Sequence, residues 1–265
     1  MQTTTLVQRR NVLSISADAK TVKGEHQGYL TGILYMTPYT GANGENNMCA
    51  MAETAQCHIP CLYTAGRGTF DSVAEARKRK TLRFLDHATR NDFMLDIAFS
   101  IRFLVRKAYG HGLTPVVRLN GTTDMRWENI SITEYDPATD TYVTYANIFV
   151  MFPDVQFYDY TKIPNRRGAG ISNYDLTFSY SGVQAFQPYV AMAVRHGMRV
   201  AVVYRDRDAA ETAMAAGYAG VPVLDGMPVV DGDESDLRFL DPQGCVTALY
   251  AKGRAKHDVS GFVVA

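Results

Sequence analysis

The sequence predicts an α/β protein built as a single (β/α) barrel of the TIM type, complete or incomplete. Short apolar segments rich in β-branched and aromatic residues alternate with amphipathic helical patterns about six or seven times along the chain. No Ser- or Pro-rich linker divides the 265 residues. The phosphate-binding glycine motifs typical of nucleotide-binding open sheets are absent, so an open doubly wound sheet ranks second. We expect one barrel domain over residues 1–265, with a cysteine-bearing loop at about 39–68.

Most of the predicted strands are apolar on both faces, which is typical of a buried parallel sheet. They are Asn11–Ile15, Gly32–Met36, Pro115–Leu119, Val155–Tyr160, Tyr174–Tyr180, Arg199–Tyr204 and Val246–Ala251. The predicted helices are Ser72–Leu85, Asn91–Tyr109, Tyr142–Met151, Gln184–His196 and Asp208–Ala216. In the second helix an apolar face is expected to cover the sheet, formed by Phe93, Ile97, Ile101, Leu104 and Tyr109.

The overall charge is balanced, because Lys plus Arg and Asp plus Glu both total 27. Balanced charge argues against a protein that coats a polyanion, and leaves room only for a local nucleic-acid patch. No apolar run approaches the ~20 residues that a membrane-spanning helix needs, so no membrane partner is expected. Residues 1–12 lack the apolar core and cleavage site of a secretion signal, which predicts a cytoplasmic protein. The sequence does not predict the oligomeric state.

Cysteine usage is the first sign of chemistry. Cys49, Cys57 and Cys61 lie close together in a Gly/Asn-rich segment after the second strand, with the spacing C-x7-C-x3-C. In a reducing compartment, clustered thiols are more often metal ligands or redox groups than disulfides. Three thiolates can hold a [4Fe-4S] cluster with one iron left open, or complete a zinc site with His58 or another residue. Cys245 stands alone inside a predicted strand and is expected in the core.

Basic residues follow the thiols, as Gly66-Arg67-Gly68 and then Arg77-Lys78-Arg79-Lys80 with Arg83. Such a run on an amphipathic helix usually forms a solvated face. Phosphate gripping is the second interpretation, since lysine and arginine bind nucleic-acid backbones.

Polar residues also follow the third predicted strand. Asn120 and Asp124 come directly after it, together with hydroxyl groups and Trp127, the only tryptophan of the chain. In a barrel the working groups lie at the carboxyl ends of the strands and in the loops after them. A simple turn, with Asp124 capping a helix, is the alternative.

Asp159 and Lys162 mark the end of the next strand. Strand alternation places Asp159 on the opposite face from Tyr158 and Tyr160, and a carboxylate in an aromatic strand is costly without a partner. An acid and a lysine this close could form an ion pair or carry acid/base chemistry. The segment Asn165-Arg166-Arg167-Gly168 that follows is interpreted as a solvated loop. Ser179 ends the strand after that and is a weaker candidate.

The order of these motifs resembles a family of bacteriophage and plasmid proteins. The thiol cluster precedes Val117-Arg118-Leu-Asn-Gly-Thr-Thr-Asp124, then Tyr158-Asp-Tyr-Thr-Lys162-Ile-Pro-Asn-Arg166, then Asn173-Tyr-Asp-Leu-Thr-Phe-Ser179. That family is in turn similar to radical S-adenosylmethionine proteins of phage, whose motifs follow the same order. The resemblance covers about residues 10–205. Its cysteine spacing is wider here than the usual C-x3-C-x2-C, and Pro60 replaces the aromatic residue before the last cysteine.

The resemblance implies an incomplete barrel in which Cys49, Cys57 and Cys61 hold a [4Fe-4S] cluster whose open iron takes S-adenosylmethionine. It also implies that Asn120 and Ser179 line the cofactor pocket. Asp124, Asp159 and Lys162 are then the catalytic candidates. The phage context implies a nucleic acid or a nucleotide as substrate, within an infected bacterial cell.

Two other functions fit the same residues. One is a zinc-containing transglycosylase or glycosylase that exchanges or excises a nucleobase of DNA or RNA, with Asp124 or Asp159 as nucleophile or acid/base. The other is a non-catalytic phage binding protein in which a metal at the cysteines only staples a loop. This last function predicts that the polar groups at the strand ends are paired with one another.

Overall fold

The computed structural model describes residues 8–16, 19–166 and 170–264. The strands are β1 (Ser14–Ile15), β2 (Tyr29–Ile33), β3 (Thr114–Arg118), β4 (Ile132–Asp136), β5 (Thr141–Tyr145), β6 (Gln156–Thr161), β7 (Tyr174–Ser179), β8 (Val200–Tyr204), β9 (Val229–Asp231) and β10 (Val246–Tyr250). The helices are α1 (Ala19–His26), α2 (Asp71–Leu85), α3 (His87–Gly110), α4 (Ile148–Met151), α5 (Gln187–Arg195) and α6 (Arg207–Ala216).

The protein is a mixed α/β fold with one large, mostly parallel sheet. Its eight strands lie in the order β1-β2-β3-β6-β7-β8-β10-β9, and every neighbouring pair is parallel except β1 with β2. From β1 to β8 the spatial order follows the chain, without the reversal that gives a doubly wound sheet its crevice. Within the described residues no pairing of β1 with β9 closes the sheet.

Helix α3 covers one face of the sheet. It begins after Asp86, whose carboxylate accepts the N–H of Ala88, a typical N-cap. Phe93, Ile97, Ile101 and Leu104 recur at helical spacing and are completely buried, as the sequence predicts. Tyr109, predicted on the same face, is instead 66% exposed. It lies in the last turn of the helix, beyond the sheet.

The predicted helix Tyr142–Met151 is wrong. Its first half is β5, which pairs with β4 in a separate antiparallel hairpin, and only Ile148–Met151 is helical. Tyr142 to Tyr145 are aromatic or β-branched, a composition that favours a strand. Asn147 accepts the N–H of Val150 and begins the short helix after the strand has ended. The other predicted helices and all the predicted strands overlap an observed element of the same type.

The parallel arrangement brings the loops after β2, β3, β6 and β7 to one edge of the sheet, called here the carboxyl edge. The cysteine-bearing segment follows β2, and Asn120 and Asp124 follow β3. Lys162 follows β6, and Ser179 is the last residue of β7. No helix in the described part of the chain combines the length and the apolar character required to cross a lipid bilayer.

Candidate functional site

The cysteine loop lies against the ends of two neighbouring strands. The backbone of Cys49 forms a parallel bridge with Asp124, whose N–H donates to Met48 O at 2.9 Å. The hydroxyl of Ser181, after β7, donates to Ala55 O at 2.8 Å and fastens the middle of the loop. Met48, Ala52 and Ala55 of this segment are buried and hold it against the rest of the protein. Pro60 cannot donate a helical hydrogen bond, so it disfavours a regular helix at the end of the segment.

The three thiols share one partly buried environment. Burial raises the pKa of all three, and it raises the pKa of Cys49 to about 12. Charges on Cys57 and Cys61 would raise the pKa of Cys49 further, so the three groups are near enough to interact electrostatically. The positive charge of Lys162 acts in the opposite direction on the pKa of Cys57. These cysteines therefore converge at the carboxyl edge, whereas Cys245 is fully buried in the core, as predicted.

The arrangement of the thiols bears on which group they could hold. Among the described residues, no three His, Cys, Asp or Glu side chains are grouped to hold a metal ion. Three thiolates around one zinc at about 2.3 Å would place the sulfur atoms about 3.8 Å apart. A four-iron cluster is larger, and its thiolates lie on separate corners. The positions of the thiols alone do not favour either group, so the choice between a cluster and a single ion rests on metal analysis.

Lys162 carries a buried positive charge that interacts electrostatically with all three thiols. Its ammonium donates to Ser179 O at 3.0 Å, Ser179 Oγ at 3.1 Å and Tyr180 O at 3.1 Å. The ring of Phe262 covers Nζ at 4.7 Å. Burial lowers the pKa of Lys162, and the opposing influence of Cys57 and Asp124 restores part of it. The predicted residues Lys162 and Ser179 are thus in direct contact.

Asp124 is part of a buried ion network that ties the strand ends together. Its carboxylate accepts from the N–H of Lys162 and from Arg166 Nη1, both at 2.8 Å. Arg166 also donates to Glu128 through Nε and Nη2 at 2.9 Å and to the hydroxyl of Tyr174 at 3.0 Å. Burial raises the pKa of Asp124, and the charge of Arg166 opposes the rise. Both carboxylates therefore pair with one guanidinium.

Asp159 forms a second buried group with Asn120. One carboxylate oxygen accepts the N–H of Asn120 at 2.7 Å, and the other accepts Asn120 Nδ2 at 3.3 Å and the hydroxyl of Tyr174 at 3.0 Å. Burial raises the pKa of Asp159 to about 7, although Arg118 and the N–H of Asn120 oppose the rise. Asn120 Oδ1 in turn accepts the indole N–H of Trp127 at 3.0 Å. Asn120 Oδ1 also accepts the N–H of Met125 at 2.8 Å and the hydroxyl of Thr123 at 2.9 Å, so a local turn follows β3, but Asp124 does not cap the helical turn that begins after Arg126.

The structure corrects one interpretation of this edge. Arg166, assigned by sequence to a solvated loop, has a side chain only 2% exposed, while Asn165 is exposed and residues 167–169 lie outside the described part. Sequence reasoning missed Arg166, which donates hydrogen bonds to Asp124, Glu128 and Tyr174 in this network. The carboxylates of Asp124 and Glu128 pair with this cation at 2.8 and 2.9 Å, and nothing in the sequence next to Arg166 indicates them.

These observations define an α/β protein with a mostly parallel sheet whose carboxyl edge carries three thiols beside a buried lysine and two buried aspartates. The chain matches the model of the family described as "Gene product 88" over residues 7–265, and it belongs to this phage-type family. Neither a curated protein nor a solved structure matches the chain.

Proposed function

We propose that this protein is an iron–sulfur enzyme of the radical S-adenosylmethionine type, acting on a nucleic acid or a nucleotide. The observation that carries the proposal is the convergence of Cys49, Cys57 and Cys61 at the carboxyl edge of a parallel sheet, beside Lys162. Thiols in this position face the place where parallel α/β folds bind their ligands. When bound, the cluster would supply an electron for cleavage of S-adenosylmethionine, which provides radical chemistry.

The strand order supports an incomplete (β/α) barrel as the finer description of the fold. The strands β2, β3, β6, β7 and β8 lie side by side in chain order, as in a barrel wall, while β4 and β5 form a separate hairpin. Crossovers through α2, α3, α5 and α6 bring the chain back between parallel strands. The cysteine loop then follows the first parallel strand, β2.

Lys162 is the residue whose role the geometry defines best. A bound cluster and three thiolates carry net negative charge, and Lys162 places a fixed positive charge among them in a buried setting. Its three hydrogen bonds hold Nζ in place and leave it few donors for substrate. We therefore assign Lys162 to charge stabilisation, with Ser179 as the residue that positions it.

The contacts of Asp124 and Asp159 favour different roles for the two carboxyl groups. Asp124 accepts from Arg166 and the backbone of Lys162, which favours a positioning role for this carboxylate. Asp159, with a pKa of about 7, could hold or release a proton near neutral pH through its contacts with Asn120 and Tyr174. The phage type of the family is the support for a nucleic acid or a nucleotide as the proposed substrate.

The non-catalytic binding protein remains the second candidate, because one observation favours it. Its distinguishing expectation is that polar groups at the strand ends are paired, and Asp124 with Arg166, Asp159 with Asn120, and Lys162 with Ser179 are paired. The thiols are the exception, since the contacts of Cys49 and Cys57 are with backbone groups at 3.5 Å or more. The zinc enzyme would use the same three thiols, so metal analysis has to separate it from the iron–sulfur enzyme.

The test is anaerobic purification with iron, sulfide and zinc analysis of the wild type and two serine variants. Cys57→Ser removes one of three ligands, and we expect it to lose nearly all iron and sulfide. Cys245→Ser changes a thiol in the core, and we expect it to keep the wild-type metal content. Equal metal content in wild type and Cys57→Ser would overturn the proposed site.

Incubation of the reduced wild type with S-adenosylmethionine separates the enzyme from the binding protein. The enzyme produces methionine and 5′-deoxyadenosine in the presence of a reductant. Protein that holds a full cluster and releases neither product supports the binding role. One zinc per chain, lost in Cys57→Ser, supports the zinc enzyme or a structural staple.

A further inference from the structure

The inner face of α2 carries two basic side chains next to the cysteine loop. The guanidinium of Arg77 lies between the rings of Tyr35 and Tyr63, with Cζ 5.0 Å from each ring centroid. Its Nη1 donates to Tyr63 O at 2.6 Å, two residues beyond Cys61. Lys80 lies one helical turn further along, and its Nζ donates to Val12 O at 3.3 Å. Both side chains are partly buried.

Neither charge is compensated by a carboxylate. Within the described residues, no Asp or Glu forms an ion pair with Arg77 or Lys80, whereas Arg83 on the same helix pairs with Asp96 at 2.8 Å. Burial lowers the pKa of Lys80 to about 8, and the neighbouring charge of Arg77 lowers it further. Partly buried like charges without a counter-ion are costly, and such arrangements are found where a protein binds an anion.

Two buried polar atoms at the same junction also lack partners. Arg77 Nε and Thr37 Oγ1 are inaccessible to solvent and make no hydrogen bond in the described part of the structure. Thr81 joins the two residues, because its Oγ1 accepts the N–H of Thr37 at 2.8 Å and donates to Arg77 O at 3.0 Å. Buried polar groups are nearly always hydrogen-bonded, so these two donors call for a ligand.

We propose that Arg77, Lys80 and Thr37 form a binding site for an oxyanion, the carboxylate or phosphate group of a small molecule held beside the cysteine loop. An oxyanion would accept from Arg77 Nε and the Thr37 hydroxyl and would neutralise both cations. Stacking between Tyr35 and Tyr63 holds the guanidinium plane in one orientation, which lowers the entropic cost of binding. The site assigns a ligand to this basic segment, in which Arg77 also interacts electrostatically with Cys61, a proposed cluster ligand.

The test is isothermal titration calorimetry of the full chain with inorganic phosphate and, separately, with methionine. We expect one saturable site per chain for at least one of them. Saturation by phosphate alone identifies a phosphate-bearing ligand, and saturation by methionine alone identifies the carboxylate of an amino-acid ligand. The site is overturned if neither probe binds saturably.

Variants on the same helix show whether binding depends on the named residues. Lys80→Gln and Arg77→Gln are each expected to weaken binding at least tenfold, and Thr37→Val to weaken it several-fold. Arg79→Gln is the matched control, because it removes an exposed charge from α2, and we expect it to bind like wild type. Equal weakening by Arg79→Gln would overturn the site in favour of general charge attraction.

Two measures keep the result independent of folding and of the cluster. Thr37→Val removes a hydroxyl without a partner, so this variant tests the site even if Arg77→Gln releases Tyr63 and fails to fold. Titration of Cys57→Ser, which is expected to lack the cluster, should give the wild-type affinity for the anion. A Cys57→Ser protein that has lost the cluster but still binds the anion would therefore support this site and its residues.

Discussion

The backbone N–H of Lys162 donates to the carboxylate of Asp124 at 2.8 Å, so the end of β6 is tied to the loop after β3. The main chain of Asp124 also bridges Cys49. One aspartate thus connects the buried lysine with the first thiol of the cysteine loop. The geometry of the thiols depends on this connection, and several measurable consequences follow from its parts.

Asp124→Asn should lower the free energy of unfolding by about 2 to 3 kcal/mol. The amide keeps an acceptor for Lys162 N–H but removes one of the two carboxylates that neutralise buried Arg166. Urea denaturation measures the difference. Asp154→Asn, an exposed change of the same chemistry, should stay within about 0.5 kcal/mol of wild type. An Asp124→Asn protein as stable as that control would show that the ion network does not contribute to the free energy of unfolding.

Gly121→Ala should destabilise the same edge of the sheet. A Cβ at Gly121 would lie 2.6 Å from Ile33 Cγ2, 2.7 Å from Leu34 O and 2.8 Å from Tyr35 Cδ1. Overpacking of this kind costs about 1 to 3 kcal/mol. Gly110→Ala, at the end of α3 with no atom within 4 Å of the added Cβ, should be neutral or slightly stabilising. Similar urea midpoints for the two variants would contradict the close approach.

Asp159 should make folding stability depend on pH in one direction. Its folded-state pKa of about 7 lies above the unfolded value of about 3.9, so the folded protein binds the proton more tightly. The stabilisation is complete below about pH 4, decreases by about 1.4 kcal/mol per pH unit between the two pKa values, and is lost above about pH 7. Urea unfolding of wild type and Asp159→Asn across this range measures the contribution as their difference. A difference that does not vary with pH would show that Asp159 keeps an ordinary pKa.

The thiols of the metal-free protein should react slowly at pH 8. With a pKa of about 12, Cys49 has on the order of one thiolate in ten thousand, compared with about a quarter for an unperturbed cysteine. Alkylation by iodoacetamide, followed by peptide mass spectrometry, should be at least a hundred times slower at Cys49 than in urea. Cluster binding requires deprotonation, so assembly should weaken as pH falls. Equal alkylation rates with and without urea would exclude the burial effect.

Much of the framework could be predicted from the sequence. Apolar segments with β-branched residues identify the strands that form most of the parallel sheet, and the polar residues directly after them identify the carboxyl edge. The placement of Asn120 beside Asp159 follows because β3 and β6 are neighbours in the sheet. Neighbouring strands of a parallel sheet bring such pairs together without any further information.

Other features depend on contacts between distant residues. Arg166 is buried because Asp124 and Glu128, 42 and 38 residues earlier in the chain, pair with it. A local pattern of Asn, Arg and Gly gives no sign of these partners. The sequence predicts helix where β5 lies, because short runs such as Tyr142–Tyr145 fit either period until a partner strand is known. Likewise, only the packed structure shows that Arg83 forms an ion pair with Asp96 and that Arg77 has no carboxylate partner among the described residues.

The central claim is that Cys49, Cys57 and Cys61 hold one iron–sulfur cluster with an open iron. Electron paramagnetic resonance of the anaerobic, dithionite-reduced protein tests it most directly, recorded with and without S-adenosylmethionine. We expect a cluster signal approaching one spin per chain, whose shape changes when S-adenosylmethionine is added and which is absent from Cys57→Ser. A reduced protein without a cluster signal, or one whose signal persists unchanged in Cys57→Ser, would contradict the account.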